Sequence, residues 1–375
     1  MWWSRYTLGL EMSDYALKIA EVRIRAGSKP TVTRHATERL PAGAVEEGRI
    51  RDRDLVVQTL RNLVRRMEPY TRNVHLALPG SLVMVRFLKL PDLPERRLRK
   101  IIEFELKHGT PLPFKTPHFD FVKLGTPDGE DRRTAERRAP DGQTAEQKAA
   151  GRPLCDVMLA AAPLETVREY AEIVAAAGLA ARSIEIRPLS LYRLVTRTGQ
   201  ADPEGTFLLA DVGETVTDLS VFHGGGLRIT RSLPIMFAPP GEGVLAGAAD
   251  GEPAGVMPAA GPEASATDGL GGSNGPGGSD ADTAFRSACS DLAHELDRLM
   301  LFFSYSLYRD RQIDRIILSG DAPRLEEVAR FLSARLSAGV SLIQGEALKL
   351  RAVFGEKTFP AMAVPIGLAL RGKRR

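Results

Sequence analysis

One stretch of the chain, residues 207–222, places an acidic residue and a glycine between two apolar strands. Residues 207–212 predict a buried strand, Asp211 lies near its exit, and Gly213 begins a tight turn before the second strand. Such a turn can direct backbone N–H groups at a phosphate while the carboxylate holds a metal ion through water. The alternative is an ordinary β-hairpin in which the aspartate and the glycine only shape the turn.

The N-terminus repeats this arrangement. Residues 6–10 predict a strand, residues 11–14 an acidic turn that contains Glu11 and Ser13, and residues 15–22 a returning strand. The spacing from Glu11 puts Lys18 on the returning strand, where its ammonium could meet a phosphate as a point charge. The alternative is a lysine exposed to solvent on a strand.

The elements that must position these turns follow from the apolar pattern. Helices are predicted at 52–67, 95–108, 164–177, 285–308, 324–336 and 363–370 from apolar spacings of three and four residues. Residues 73–178 read as strand–strand–helix–strand–strand–helix, which predicts an inserted α+β subdomain. Residues 125–153 and 238–284 have the composition of disordered segments, because few of their side chains can be buried.

The helix at 95–108 carries Arg96, Arg97, Arg99 and Lys100 in its first turns. These bases stand at the end of the helix dipole that disfavours positive charge. We interpret them as a solvated basic face, and binding to phosphate or anionic lipid stays open as the alternative.

Composition excludes several classes of protein. The 375 residues carry 51 bases and 47 acids, a net charge of +4 that does not indicate a nucleic-acid partner. The two cysteines belong to no Cys/His cluster and predict neither a disulfide framework nor a zinc site. The start of the chain lacks the apolar core of a signal peptide, and no apolar run is long enough to span a bilayer. We therefore expect a cytoplasmic protein whose membrane association runs through partners.

Taken in order, several short motifs resemble one family. They are Leu8-Gly9-Leu10-Glu11-Met12-Ser13 with Lys18, Leu40-Pro41-Ala42-Gly43-Ala44-Val45, Ala77-Leu78-Pro79-Gly80-Ser81, Ile102-Glu103-Phe104-Glu105 with Pro113-Phe114, Ala210-Asp211-Val212-Gly213, and Ile317-Leu318-Ser319-Gly320. Apart from the two disordered segments, the chain resembles the actin/Hsp70/sugar-kinase superfamily. Within it, the chain is most similar to the PilM family of type IV pilus assembly proteins, which is related to the cell-division protein FtsA.

The resemblance implies an α/β, actin-like (ribonuclease H-like) duplicated fold with an inserted α+β subdomain. It places the first lobe at 1–72 and 179–200, the insertion at 73–178 and the second lobe at 201–375. It implies a cytoplasmic scaffold of the inner-membrane pilus platform, near the motor ATPases. This scaffold binds the N-terminal peptide of a PilN-like bitopic membrane protein in a groove beside the insertion. Self-association stays open.

The family also binds ATP and Mg2+ between its lobes. The resemblance carries that role over to a set of residues in the three turns: Glu11, Ser13, Lys18, Asp211, Gly213, Thr215, Thr217, Ser319 and Gly320. Asp211 and Glu11 would hold the metal through water.

Two of the three turns depart from the family pattern. The first family turn reads Asp-Ile-Gly-Ser, whereas this chain has Glu11-Met12-Ser13-Asp14, which loses a glycine and gains negative charge. The third reads Ser-Gly-Gly-Gly in the family and Ser319-Gly320-Asp321-Ala322 here. We therefore predict weakened or lost nucleotide binding and a degenerate ATPase without an identifiable catalytic residue.

Two other functions remain alternatives. The first is an active ATPase or kinase, against which stand the altered turns and the lack of an aspartate placed to activate a hydroxyl. The second is an FtsA-like division protein, against which stands the short stretch after Leu370.

Overall fold

The computed structural model describes residues 4–109, 112–125, 154–238, 280–309, 311–345 and 358–371. In chain order the strands are β1 (Ser4–Met12), β2 (Ala16–Arg25), β3 (Thr31–Arg39), β4 (Val45–Glu46), β5 (Arg49–Ile50), β6 (Asn73–Leu78), β7 (Met84–Pro91), β8 (Pro117–Gly125), β9 (Leu154–Pro163), β10 (Ala180–Ile186), β11 (Thr206–Val212), β12 (Thr217–His223), β13 (Gly226–Leu233), β14 (Arg315–Ser319) and β15 (Gly339–Leu342). The helices are α1 (Arg53–Met67), α2 (Glu95–His108), α3 (Leu164–Ala176), α4 (Arg187–Arg197), α5 (Asp280–Phe302), α6 (Leu325–Arg335) and α7 (Ala363–Ala369).

The first sheet has the strand order β3-β2-β1-β6-β10. Strands β1 to β3 form an antiparallel meander, whereas β6 and β10 run parallel to β1 and β6 respectively. Parallel neighbours need a crossover, which α1 supplies between β3 and β6. Helix α1 begins after its N-cap Asp52, whose carboxylate accepts a hydrogen bond from the Leu55 amide.

The second sheet repeats this plan with the order β13-β12-β11-β14-β15. An antiparallel meander again comes first, and β14 and β15 follow in parallel; α5 precedes β14, and α6 connects β14 to β15. The duplicated topology is that of an actin-like, ribonuclease H-like fold, as predicted.

The inserted subdomain is smaller than the range 73–178 expected from the sequence. Strand β6 lies inside the first sheet, between β1 and β10, and α3 packs on α1 and β10. Strand β6 is buried on both faces, which suits a central strand of either unit, so its sequence could not assign it. We propose that the insertion comprises residues 79–163, with a sheet of order β7-β9-β8 covered on one face by α2.

The two lobes share one apolar cluster. Helix α7, expected in the second lobe at 201–375, packs on β1, β2 and α4, and all its residues are buried. A helix that is apolar all round must be covered on every side, which a place between two lobes provides. Gly9 permits this packing, because a Cβ there would lie 1.9 Å from the Pro365 carbonyl oxygen.

The two segments predicted to be disordered lie largely outside the described residues. Residues 280–284 are an exception, since they form the first turn of α5, where Asp280 and Asp282 suit the helix dipole. The α-helix ends at Phe302 and continues as a π-helical turn, Phe303–Leu307. Within the part of the chain that the structure describes, no helix combines the length and apolar content needed to cross a bilayer.

Candidate functional site

The three predicted turns meet in a cleft of about 330 Å³ between the lobes. Parallel strands β1 and β6 in one sheet, and β11 and β14 in the other, end at this place. The duplicated fold therefore brings together Glu11, Ser13, Lys18, Asp211, Gly213, Thr215 and Gly320 as lining residues. Thr217 and Ser319 are buried but do not line the cleft.

Lys18 stands in the cleft, as predicted, but its ammonium is held by carboxylates. It lies directly opposite Glu11 on the neighbouring strand, with 3.2 Å between Nζ and Glu11 Oε2. Asp321 from the second lobe approaches Nζ to 2.9 Å. Although burial opposes it, Asp321 and Glu11 raise the pKa of the Lys18 ammonium above its usual value. The positive charge is thus already matched by two carboxylates.

Asp211 is held by the second lobe. Ser319 donates a hydrogen bond of 2.9 Å to its Oδ1, and this explains the buried place of Ser319 behind the cleft. Burial raises the pKa of the Asp211 carboxyl to about 7, and the neighbouring Glu11 adds to the rise. Near neutral pH this carboxyl is therefore only partly ionised.

Tyr15 and Asp321 are the site residues that the sequence did not single out for contacts. The Tyr15 hydroxyl donates to Asp321 Oδ1 at 2.7 Å and accepts from the Glu214 amide at 3.3 Å. Burial, together with Asp321, raises the pKa of the Tyr15 phenol well above its usual value. In the sequence, Asp321 stands where the family pattern has a glycine, and Tyr15 was predicted only as a strand residue beside the turn.

Two arginines complete the contacts across the cleft. Arg39 on β3 forms a two-pronged pair with Glu214, with N–O distances of 2.8 and 3.1 Å. Arg187, at the start of α4, lies 3.4 Å from Glu11 and 3.3 Å from Asp218. Burial opposes the charge of Arg187, but Glu11 and Asp218 raise its pKa above the usual value.

The turn amides are also engaged. The Ser13 amide donates to the Ala16 carbonyl at 2.9 Å, and the Gly213 amide to the Val216 carbonyl at 3.0 Å. Gly320 adopts a φ of +111°, and a Cβ there would lie 2.1 Å from the Val212 carbonyl oxygen. The turns therefore pack on their own backbone.

The cleft fits a nucleotide poorly. Its lining has acids at Glu11, Asp14, Glu47, Asp211, Asp218 and Asp321 but bases only at Lys18 and Arg187. Asp14 faces β4–β5, where it accepts from the amides of Glu47 and Gly48 at 2.7 and 2.8 Å. A triphosphate would meet an excess of negative charge, a lysine bound elsewhere and the Tyr15 ring. Among the described residues, His, Cys, Asp and Glu side chains do not gather in threes that could hold a metal ion. The predicted metal role of Asp211 and Glu11 stays a prediction.

A second cavity, of about 480 Å³, is a groove between the inserted sheet and the first lobe. Its walls come from β8 and β9 on one side and from β10 and α4 on the other, and include Val122, Met158, Ala160, Ile184 and Leu189. Strand β8 is an edge strand of the inserted sheet. At the groove rim, Arg99 pairs with Asp120 at 2.9 Å, and Glu185 pairs with Arg193 at 2.8 Å.

Residues 9–136 match a family model described as type IV pilus assembly protein PilM. The predicted resemblance to the PilM family is confirmed. A solved structure of a PilM-PilN type IV pilus biogenesis complex is 23% identical, with a TM-score of 0.69, and the match covers 98% of this chain and 99% of that one. The PilM family and this chain therefore share the actin-like fold. The ethanolamine utilization protein EutJ from Carboxydothermus hydrogenoformans is also similar, at 13% identity and a TM-score of 0.49, over 98% of this chain and 90% of that one.

Proposed function

We propose that this protein is a cytoplasmic scaffold of a type IV pilus assembly platform. In this role it binds the N-terminal peptide of a PilN-like bitopic membrane protein and is held at the membrane beside the motor ATPases. The proposal is carried by one observation, that the part of the chain matching the PilM family model, residues 9–136, extends into the inserted subdomain that borders an open groove.

The groove has the chemistry expected of a peptide site. Its volume of about 480 Å³ lies within the range of ligand clefts, roughly 300 to 1,000 Å³. Alternate residues of β9 divide between the two faces of the inserted sheet: Val157 and Leu159 pack under α2, while Met158 joins the apolar cluster shared with the first lobe. An extended segment could place apolar side chains on this floor.

The scaffold role does not require catalysis. The two bases in the cleft lining, Lys18 and Arg187, are both paired with carboxylates, and we propose that Mg-ATP is not a cofactor of this chain. The active ATPase or kinase and the FtsA-like division protein are therefore not favoured.

The test uses the full chain and a synthetic peptide of the first 15 to 20 residues of the short bitopic protein encoded beside it. Titration calorimetry should give binding that Val122→Asp weakens at least tenfold, because a charge would stand on the apolar groove wall. Leu154→Asp is the matched control, since Leu154 is similarly exposed on the same sheet (49% against 43%) but lies outside the groove. Equal losses in both variants, or an unmodified protein that binds no such peptide, would contradict the proposal.

A further inference from the structure

We propose that the cleft between the lobes is a permanent latch, in which Tyr15, Lys18 and Asp321 take the place that the fold family gives to a nucleotide. All three side chains are buried, at 8%, 3% and 2% exposure. Two come from the first β-hairpin of the first lobe and one from the turn after β14 in the second lobe. Each lobe thus supplies the partner of the other.

The latch is centred on the Asp321 carboxylate, which contacts both Tyr15 and Lys18. The Tyr15 hydroxyl joins the Asp321 carboxylate and the Glu214 amide, two different turns of the second lobe. Lys18 lies between Glu11 of its own lobe and Asp321 of the other, at 3.2 and 2.9 Å. A phosphate would have to displace Asp321 to reach the Lys18 ammonium, and the Tyr15 phenol to reach the Glu214 amide.

Further pairs across the lobes close the sides. Arg39 of the first sheet binds Glu214, which is fully buried. Arg187 joins Glu11 to Asp218, and within the second lobe Ser232 donates a hydrogen bond to the same Asp218 carboxylate. The Arg39–Glu214 and Arg187–Asp218 pairs each join one lobe to the other, so opening the lobes would break both pairs together. A polyphosphate is negatively charged and would be repelled by four of these carboxylates: Glu11, Glu214, Asp218 and Asp321.

The consequence is a scaffold whose lobes stay closed without nucleotide. It does not depend on which peptide the groove binds, so it can fail while the scaffold role stands. In the fold family, the ligand between the lobes would set their relative position. Here the same position is set by the chain itself.

Double electron–electron resonance tests the latch by measuring the distance between two spin labels, one attached at Arg65→Cys and one at Arg330→Cys. Both sites are exposed, on α1 and α6, and the native Cys155 and Cys289 are buried. The unmodified cleft should give one narrow distance distribution that millimolar Mg-ATP does not change, and calorimetry should detect no Mg-ATP binding. Tyr15→Phe and Asp321→Asn should broaden the distribution and raise hydrogen exchange at the Glu214 amide at least tenfold.

Glu172→Gln is the matched control, because it removes a carboxylate that pairs with Arg53 at the surface of the first lobe. It should leave distances and exchange unchanged. A shift of the distance distribution with Mg-ATP in the unmodified protein, or latch variants that behave like the control, would overturn the proposal. Tyr15→Phe deletes one oxygen only and keeps the test valid if Asp321→Asn does not fold.

An independent observation concerns the outer face of α2, and from it we infer a second contact, with an anionic lipid surface. Leu98, Ile102 and Leu106 are buried toward the inserted sheet. On the opposite face stand exposed residues that are basic apart from one aromatic side chain: Arg96, Arg97, Lys100, Phe104, Lys107 and His108. We call this set the α2 stripe.

The geometry of the α2 stripe separates its charges from the acids of the helix. At 100° per residue, Glu95 lies on the side of the buried residues, Glu105 lies on one flank of that side, and Glu103 lies at the edge of the α2 stripe, next to Arg96. Arg96, Arg97, Lys100 and Lys107 form no ion pair with a described residue, whereas Arg99 on the groove side pairs with Asp120. Phe104 is 62% exposed, and its ring packs against that of His108 at a tilt of 44°, with ring centroids 4.8 Å apart.

Charge complementarity points to the anionic leaflet of a membrane. Clusters of four or more bases on an amphipathic helix bind such surfaces, and each base near the surface contributes roughly a fivefold gain in affinity. An aromatic ring amid the bases suits the headgroup boundary. The sequence left this face open between a solvated surface and a lipid contact, and the position of the acids favours the lipid contact.

Vesicle co-sedimentation of the full chain tests this contact with phosphatidylcholine alone and with 30% phosphatidylserine. We expect binding only to the anionic vesicles, lost in high salt and reduced at least tenfold by the triple variant Arg96→Gln, Arg97→Gln, Lys100→Gln. The control triple variant Arg61→Gln, Arg65→Gln, Arg66→Gln removes the same charge from α1 and should bind as before. Equal binding to both vesicle types, equal losses in both triple variants, or tighter binding to a short DNA duplex would overturn the inference.

Discussion

At the scale of single residues, burial makes the ionised form of Asp211 costly. Its carboxyl lies beside Glu11 and Asp218 with Ser319 as a hydrogen-bond donor, and burial raises its pKa to about 7. Because an unfolded aspartate titrates near pH 4, the folded protein binds more protons between about pH 4 and 7. The stabilising contribution of the protonated form is therefore complete below about pH 4 and is lost as the pH rises to 7.

The pH dependence of Asp211→Asn tests this. Urea unfolding at several pH values between 4.5 and 8 should show the variant gaining stability relative to the unmodified protein as pH rises. The gain should reach at most about 1.4 kcal/mol for each pH unit below 7 and level off above it. Asp291→Asn, at an exposed site on α5, should show no such trend. A stability difference that is flat with pH would mean that Asp211 is ionised throughout.

The sequence predicted which turns form the cleft but not what fills it. Glu11, Lys18 and Asp211 could be placed because the strand–turn–strand pattern occurs twice and the acids stand in its turns. Tyr15 could not, because a tyrosine next to a turn reads as an ordinary strand residue. Its partner Asp321 lies 306 residues away in the other lobe, so their contact depends on how the lobes pack.

At the scale of elements, the sequence predicted the type and position of helices and strands more reliably than it predicted which elements pack together. The predicted bounds of α2 agree with the structure, since its apolar spacing is regular and Pro94 precedes it. The partners of β6 were not predicted, because a strand buried on both faces carries no sign of which neighbours it has. Helix α7 was likewise predicted as a helix, while its packing against β1 was missed.

The approach of α7 to β1 gives a prediction at this scale. Gly9→Ala would put a methyl group 1.9 Å from the Pro365 carbonyl oxygen and 2.7 Å from the Ala369 amide nitrogen. Neither neighbour is the end of a flexible side chain, so the backbones must separate. We expect a loss of about 2 to 4 kcal/mol in the free energy of unfolding, measured with urea.

Gly339→Ala is the control for this substitution. Gly339 also lies in a strand, and its new Cβ would meet the nearest atom, the Asp314 carbonyl oxygen, at an ordinary 3.5 Å. Its effect should stay within about 0.5 kcal/mol. If both alanine variants are equally stable, α7 does not pack on β1 at this distance.

At the scale of the whole molecule, the lobes are joined in two layers. One is the apolar cluster that α4 and α7 build with strands of both sheets, including Ala20, Phe207, Phe222 and Ile366. The other is the set of polar contacts in the cleft. The apolar layer opposes separation of the lobes, but the hydrophobic effect has no preferred direction. The polar layer fixes one position of the lobes relative to each other, because hydrogen bonds and ion pairs hold only at short distances.

A double-mutant cycle on Arg39 and Glu214 measures the polar layer. The guanidinium binds both carboxylate oxygens, Glu214 is fully buried and Arg39 is 23% exposed, so partial screening by solvent lowers the expected coupling. Unfolding of Arg39→Gln, Glu214→Gln and the double variant should give a coupling energy of about 1 to 3 kcal/mol. The same cycle on Arg53 and Glu172, an exposed pair within the first lobe, should give less than about 0.5 kcal/mol. Equal coupling energies for the two pairs would mean that the cleft pair adds nothing to the position of the lobes, and the apolar layer alone would then set it.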